Sequence, residues 1–198
     1  MKEEGGIVLC GVGGQGLIAA GRVVGLALLE EGFSVRVAEV HGLAQRGGSV
    51  VVHVKFGRSP DLASTVPGGG ADAVIALEMI EALRAVRFLK VGKGLMLVND
   101  LMLPPPGASR TLSRNQVLTA LRKVSAKLVL LPASKAAREL GSFLLTNSVM
   151  LGAAYEAGLF PVKRKSFEKA IRKGLRRAIE LNLKAFSVGE RLWREREE

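Results

Sequence analysis

Three observations in this 198-residue sequence predict an α/β fold, with helices covering both faces of a mostly parallel or mixed sheet and further helices at the C-terminal end. Short apolar runs rich in Val, Leu and Ile recur along the chain, as strands buried on both faces do. Segments with apolar residues at helical spacing lie between them, giving the alternation of three-layer α/β/α domains. The first run, "GGIVLC", passes through a glycine turn into such a segment, which is how a Rossmann-like unit begins. Hydrophobic residues make up 48% of the chain, enough for one core, and no linker, repeat or low-complexity segment divides it. Residues 1–198 therefore read as a single domain.

The elements follow in order. "GGIVLCGVGGQG" is strand, tight turn and helix start, and "LIAAGRVVGLALLEEG" continues the helix to Gly32, a residue suited to a helix C-terminus. "FSVRVAEVHG" alternates as a strand does, with Val35, Val37 and Val40 expected to be buried, and completes a βαβ unit. Val50 to Phe56 is the third strand, and "RSPDLASTVPGGG" is a turn-rich connection. "ADAVIALE" is a buried strand ending at Glu78. "MIEALRAVRFLKVG" is a helix with Ile80, Leu83, Val86 and Phe88 toward one face. "GLMLVND" is a strand with a rigid exit, "LMLPPPG". "SRNQVLTALRKVSA" is a helix with Ser113 as N-cap, "KLVLLPA" a strand and "SKAARELG" a short helix. "LLTNSVMLGAAYEAG" is a helix whose small residues suit close packing, and Pro161 marks a break. One basic helix is expected over about 163–187, with Phe167, Ile171, Leu175, Ile179 and Leu183 as its apolar stripe and 188–198 as a tail.

Composition narrows the function. The single cysteine, Cys10, cannot form an internal disulfide, hold an iron–sulfur cluster or build a structural zinc site, so no metal site is expected and Cys10 reads as a small buried hydrophobe. No charged-then-apolar leader and no apolar run of about 20 residues occurs, so a cytoplasmic protein without membrane attachment is expected. Net charge is +11, and from Lys163 onward twelve cations face six carboxylates. Such an excess suits an anionic cofactor, an acidic partner or nucleic acid. Few Gln and Asn beside many Arg and Lys point to a heat-adapted source.

"GVGGQG", residues 11 to 16, fits G-x-G-x-x-G. Glycines allow a sharp strand-to-helix turn, and amides at the helix start favour phosphate. Glu39 stands near the position of the acidic residue that a dinucleotide site requires. Gly14-Gln15 within the motif fits that scheme poorly, and the second cluster, "HGLAQRGG", has no place in it. There His41, Gln45 and Arg46 are polar groups bracketed by Gly42, Gly47 and Gly48.

"GVGGQG" followed by "EVHGLAQRGGSV" resembles the gamma subunit or domain of 2-oxoacid:ferredoxin oxidoreductases, above all the beta subunit of indolepyruvate ferredoxin oxidoreductases. The resemblance covers nearly the whole chain, including "ADAVIALEMIEALR", the triple proline and "TNSVMLGA". It implies oxidative decarboxylation of a 2-oxoacid, such as indolepyruvate or another aryl pyruvate, to an acyl-CoA with ferredoxin reduction. The assembled complex would use thiamine diphosphate, magnesium, 4Fe-4S clusters and coenzyme A. This chain alone is expected to bind none of them and to be inactive, since it has one cysteine and no thiamine-diphosphate segment. Its partner would be a catalytic subunit carrying thiamine diphosphate and the clusters, with ferredoxin reached through the complex.

The resemblance further implies that His41, Gln45 and Arg46 line the catalytic entrance, Arg46 contacting an anion. Gly13, Gly14, Gln15 and Gly16 would offer backbone donors to the cofactors or partner, with Gly47 and Gly48 beside them. Asn147 would brace a loop, and His53 reads as structural. Ala44 and the basic tail depart from the family and leave the particular 2-oxoacid open. Two other readings stand beside this one. A free-standing NAD(P)-dependent reductase would use Gly11, Gly13, Gly16 and Glu39. A basic nucleic-acid-binding protein would rest on charge alone, because the last helix lacks interleaved aromatics.

Overall fold

The computed structural model describes residues 3–42, 47–103, 112–125 and 127–196. Its strands are β1 (Gly5–Val12), β2 (Ser34–His41), β3 (Ser49–Gly57), β4 (Ala73–Ala76), β5 (Leu95–Asn99) and β6 (Lys127–Leu131). They form one sheet in the order β2-β3-β1-β4-β5-β6. β1, β4, β5 and β6 run parallel, while β3 is antiparallel to both β1 and β2, so the sheet is mixed. The helices are α1 (Leu17–Glu30), α2 (Met79–Ala85), α3 (Arg114–Val124), α4 (Ala133–Glu139), α5 (Thr146–Glu156), α6 (Arg164–Gly174) and α7 (Ile179–Arg194).

The side-chain period of a strand divides the core in two. Ile7 and Leu9 of β1 face the layer of α1 and α4–α7, whereas Val8 and Cys10 face α2 and α3. Helices on both faces make the domain a three-layer α/β/α sandwich. Ser113 caps α3 in a reciprocal capping box with Gln116. α5 and α7 lie in backbone contact, since a Cβ on Gly152 would fall 1.9 Å from the Phe186 carbonyl oxygen and one on Gly189 1.9 Å from that of Val149.

Several local expectations change. β2 is not adjacent to β1, because β3 lies between them and leaves β2 at the sheet edge. Val35 is only half-buried, and Val37 and Val40 are exposed at 40% and 53%. In α2 the covered residues are Met79, Glu81, Ala82 and Ala85, while Ile80, Leu83, Val86 and Phe88 stay half-buried. α2 is a short helix ending in a 3₁₀ turn at Val86–Phe88, so its apolar residues do not form one α-helical stripe.

The single C-terminal helix expected over 163–187 is two helices, and helical structure continues to Arg194 in the stretch expected to be a tail. Gly174 ends α6 where a Cβ would press on Val23 and Leu26 of α1, and Ala178 turns the chain at φ 51°. Phe167 and Ile171 pack against α1 and the neighbouring rings, while α7 turns back along α5.

Candidate functional site

Ligands of open α/β sheets gather at the carboxyl ends of the strands. At the end of β1 the turn Gly13–Gly16 has left-handed backbone at Gly14 (φ 102°) and Gly16 (φ 77°), which only glycine adopts cheaply. The two glycine clusters are joined. Gly13 N donates to Gly48 O at 2.8 Å, and Gly47 N donates to Gly13 O at 3.4 Å. The loops predicted separately from sequence are therefore one structure, clasped through Gly13.

Beside this clasp lies a cleft of about 400 Å³. Val12 at the end of β1, Gly13, Gly14 and Gly16 of the turn, Leu17 and Ile18 of α1, Val50 from β3 and His41 from β2 line it. α1 begins there with no side-chain cap, so among the described residues no side chain takes up its first amides. An uncapped helix start of this kind suits an anionic group. His41 is exposed, with Nδ1 3.2 Å from its neighbour's Gly42 carbonyl oxygen. Gln45 and Arg46 lie outside the described residues.

Gln15 departs from its expected outward role. Its side chain is 5% exposed and is used internally: Oε1 accepts from Val12 N at 2.7 Å and Nε2 donates to Leu77 O at 3.2 Å. Its own amide donates to Val12 O. Gln15 and Gly13 thus hold the turn in shape, which leaves Gly14 and Gly16 as the loop amides without an internal partner among the described residues. Asn147 Nδ2 donates to Gly16 O at 3.2 Å, tying α5 to the turn.

Sequence reasoning missed the layer beneath. Asn99, wholly buried at the end of β5, donates through Nδ2 to Leu77 O (2.9 Å) and to Ser134 Oγ (2.7 Å), and Oδ1 accepts from Ser134 N (2.9 Å). Gln15 and Asn99 thus share the Leu77 carbonyl, and the polar row runs across β1, β4, β5 and α4. Glu81 accepts from Ser49 Oγ, which fixes the first residue of β3, and pairs with Arg84 at 3.1 Å. The signal was present in sequence: Asn99 and Ser49 are lone polar residues at the ends of apolar strands.

The geometry opposes a dinucleotide site. Strands lie about 4.8 Å apart, so the inserted β3 places β2 two spacings from β1. Glu39 pairs across Val52 with Leu9, below the turn, and its side chain is exposed. Cys10 is fully buried, and burial, with the Glu81 and Glu78 carboxylates, pushes its thiol up, away from nucleophilic use. His53 is buried; its Nδ1 accepts from Val66 N at 3.3 Å and its ring meets the edge of Phe88. Among the described residues there is no cluster of three metal-ligating side chains and no helix long and apolar enough to cross a membrane. The lone buried thiol does not fit an iron–sulfur cluster, whereas the uncapped α1 start beside Gly14 and Gly16 fits an anionic group.

Comparison with known proteins gives one answer. Residues 6–192 match the family described as pyruvate ferredoxin/flavodoxin oxidoreductase. The indolepyruvate oxidoreductase subunit IorB of Thermococcus kodakarensis is 37% identical over 195 residues, covering 96% of this chain and 95% of that protein. The pyruvate/ketoisovalerate oxidoreductases common subunit gamma of the same organism is 30% identical over 179 residues, covering 88% and 89%. The crystal structure of the keto/oxoacid ferredoxin oxidoreductase gamma subunit from Geobacter sulfurreducens superposes with TM-score 0.69 at 25% identity, covering 95% of this chain and 97% of that one.

Proposed function

The chain belongs to the pyruvate ferredoxin/flavodoxin oxidoreductase family, and from that premise we propose that it is the small, cluster-free subunit of a 2-oxoacid:ferredoxin oxidoreductase, acting on indolepyruvate or another aryl pyruvate. One observation carries this reading: the two glycine loops clasp through Gly13 and expose one cleft at the carboxyl edge of the sheet. A single-chain reductase has no use for the second loop, whereas a subunit that completes a partner's active site does. The 37% identity to a protein named as an indolepyruvate oxidoreductase subunit supports the substrate class.

In this reading the cleft docks on a catalytic subunit that carries thiamine diphosphate, magnesium and the 4Fe-4S clusters. Thiamine diphosphate supplies carbanion stabilisation when bound, and coenzyme A accepts the acyl group. The chain's own contribution is binding and orientation. Gly14, Gly16 and the first turn of α1 present amides to an anionic group and His41 stands at the rim; Gln45 and Arg46, between His41 and Gly47 in sequence, are the residues assigned to substrate carboxylate or coenzyme A phosphate. Gln15 and Asn147 keep that edge rigid. Cys10, buried and protonated, takes no part.

The test is Arg46→Ala assembled with the catalytic subunit. A raised KM for coenzyme A or for the 2-oxoacid, with assembly intact, supports the reading. Unchanged turnover and unchanged KM for both would remove Arg46 from the site.

A further inference from the structure

We propose that the outer edge of β6 is a docking groove for an extended acidic segment of a partner polypeptide, which adds to the sheet as a further strand. The groove, about 1040 Å³, runs from the amino ends of β4 and β5 along β6, at the opposite end of the sheet from the glycine cleft.

The first observation is the edge itself. β6 closes the strand order and pairs only with β5 among the described residues. An unpaired edge presents a row of N–H and C=O groups that can template another strand. Proteins usually blunt such edges with Pro, bulges or several charges. β6 has no Pro and only Lys127, at its start, as a charge.

The second is the floor. Leu118, Leu128 and Leu130 line the groove from the α3 side, and Val129, Leu159 and Trp193 line it from the α5 and α7 side. A strand laid along β6 sends alternate side chains to opposite faces, so it would meet apolar surface on both.

The third is charge. Lys93, Arg122, Lys127 and Arg196 border the groove and form no ion pair among the described residues. Asp72, the one carboxylate lining it among those residues, already holds Lys90 and the Gly6 amide. A second copy of a chain of net charge +11 would be repelled, whereas an acidic segment is attracted. Nucleic acid would answer the charge but would leave the strand edge and the apolar floor unused.

Trp193 is the protein's single tryptophan and lines the groove, so its emission reports occupancy. The full chain is titrated with a blocked peptide of about seven residues, Val at its centre and Glu at both ends, so that apolar side chains fall on both faces. We expect a saturable change in Trp193 emission and slowed amide exchange over residues 127–131. We expect binding at least about tenfold weaker in R122E/K127E, a pair of exposed positions whose circular dichroism should match the parent. N-methylation of alternate peptide amides should abolish binding. No saturable change up to about 1 mM would overturn the proposal. So would equal binding of the N-methylated peptide or of polyglutamate, or displacement of the peptide by a single-stranded oligonucleotide.

Discussion

Gln15→Met tests the idea that Gln15 is a structural staple under the glycine turn. Methionine keeps the length and apolar contact of the side chain but removes both hydrogen bonds, to Val12 N and to Leu77 O. The Val12 amide loses its acceptor in a half-buried setting, which costs about 1–2 kcal/mol. Leu77 O loses less, because Asn99 Nδ2 still donates to it at 2.9 Å. At about 2–4 °C per kcal/mol for a chain of this size, the melting temperature should fall by about 2–8 °C. Asn99→Leu, which leaves the buried Ser134 amide without its acceptor, should cost about 2–4 kcal/mol. In the double variant Leu77 O has neither donor, so the loss should exceed the sum of the single losses by about 1 kcal/mol. Urea unfolding followed by circular dichroism measures all three. Additivity within about 0.3 kcal/mol, or a Gln15→Met variant as stable as the parent, would refute the shared-carbonyl account.

Three further outcomes follow from single contacts. Gly189→Ala drives a Cβ to 1.9 Å from the Val149 carbonyl oxygen and should cost at least about 1–3 kcal/mol by thermal melting, since neither backbone can yield alone. Ala178→Gly should stabilise by about 0.5–1 kcal/mol in the same assay, because Ala178 is the one described non-glycine residue at positive φ. Burial, and then the Arg87 charge, lower the His53 pKa below its ordinary value of about 6.5, so the unfolded chain binds the proton more readily. The stability that neutral His53 contributes is present above about pH 6.5 and is lost as pH falls from there through the lower folded value. His53→Gln should flatten the stability profile between about pH 5 and pH 7.

Much of the sheet was legible because strands buried on both faces read as unbroken apolar runs. "GGIVLC" and "ADAVIALE" needed no other information. β2 was misjudged because its alternation looks the same whether the strand lies inside a sheet or at its edge. Only the antiparallel pairing of β3 decides that, and pairing is not local. The C-terminal break was hidden for a related reason: apolar residues every fourth position continue through Gly174, while the reversal is imposed by α7 returning to pack on α5. The glycine loops were visible as motifs, but their mutual hydrogen bonds were not, and Gln15 looked like a ligand contact because a buried side chain and an exposed one share the same letter. Asn99 and Glu81 went unnoticed because their role lies in tertiary partners more than 20 residues away.

As proposed, this chain completes an active site it does not itself contain. The most direct test is reconstitution: 2-oxoacid- and coenzyme A-dependent ferredoxin reduction, measured for this chain alone, for the catalytic subunit alone and for the two together. Turnover of indolepyruvate is expected only in the mixture, and is lost when the cleft is filled by Gly14→Trp. Full turnover by the catalytic subunit alone, or saturable NADH or NADPH binding by this chain alone, would contradict the proposal.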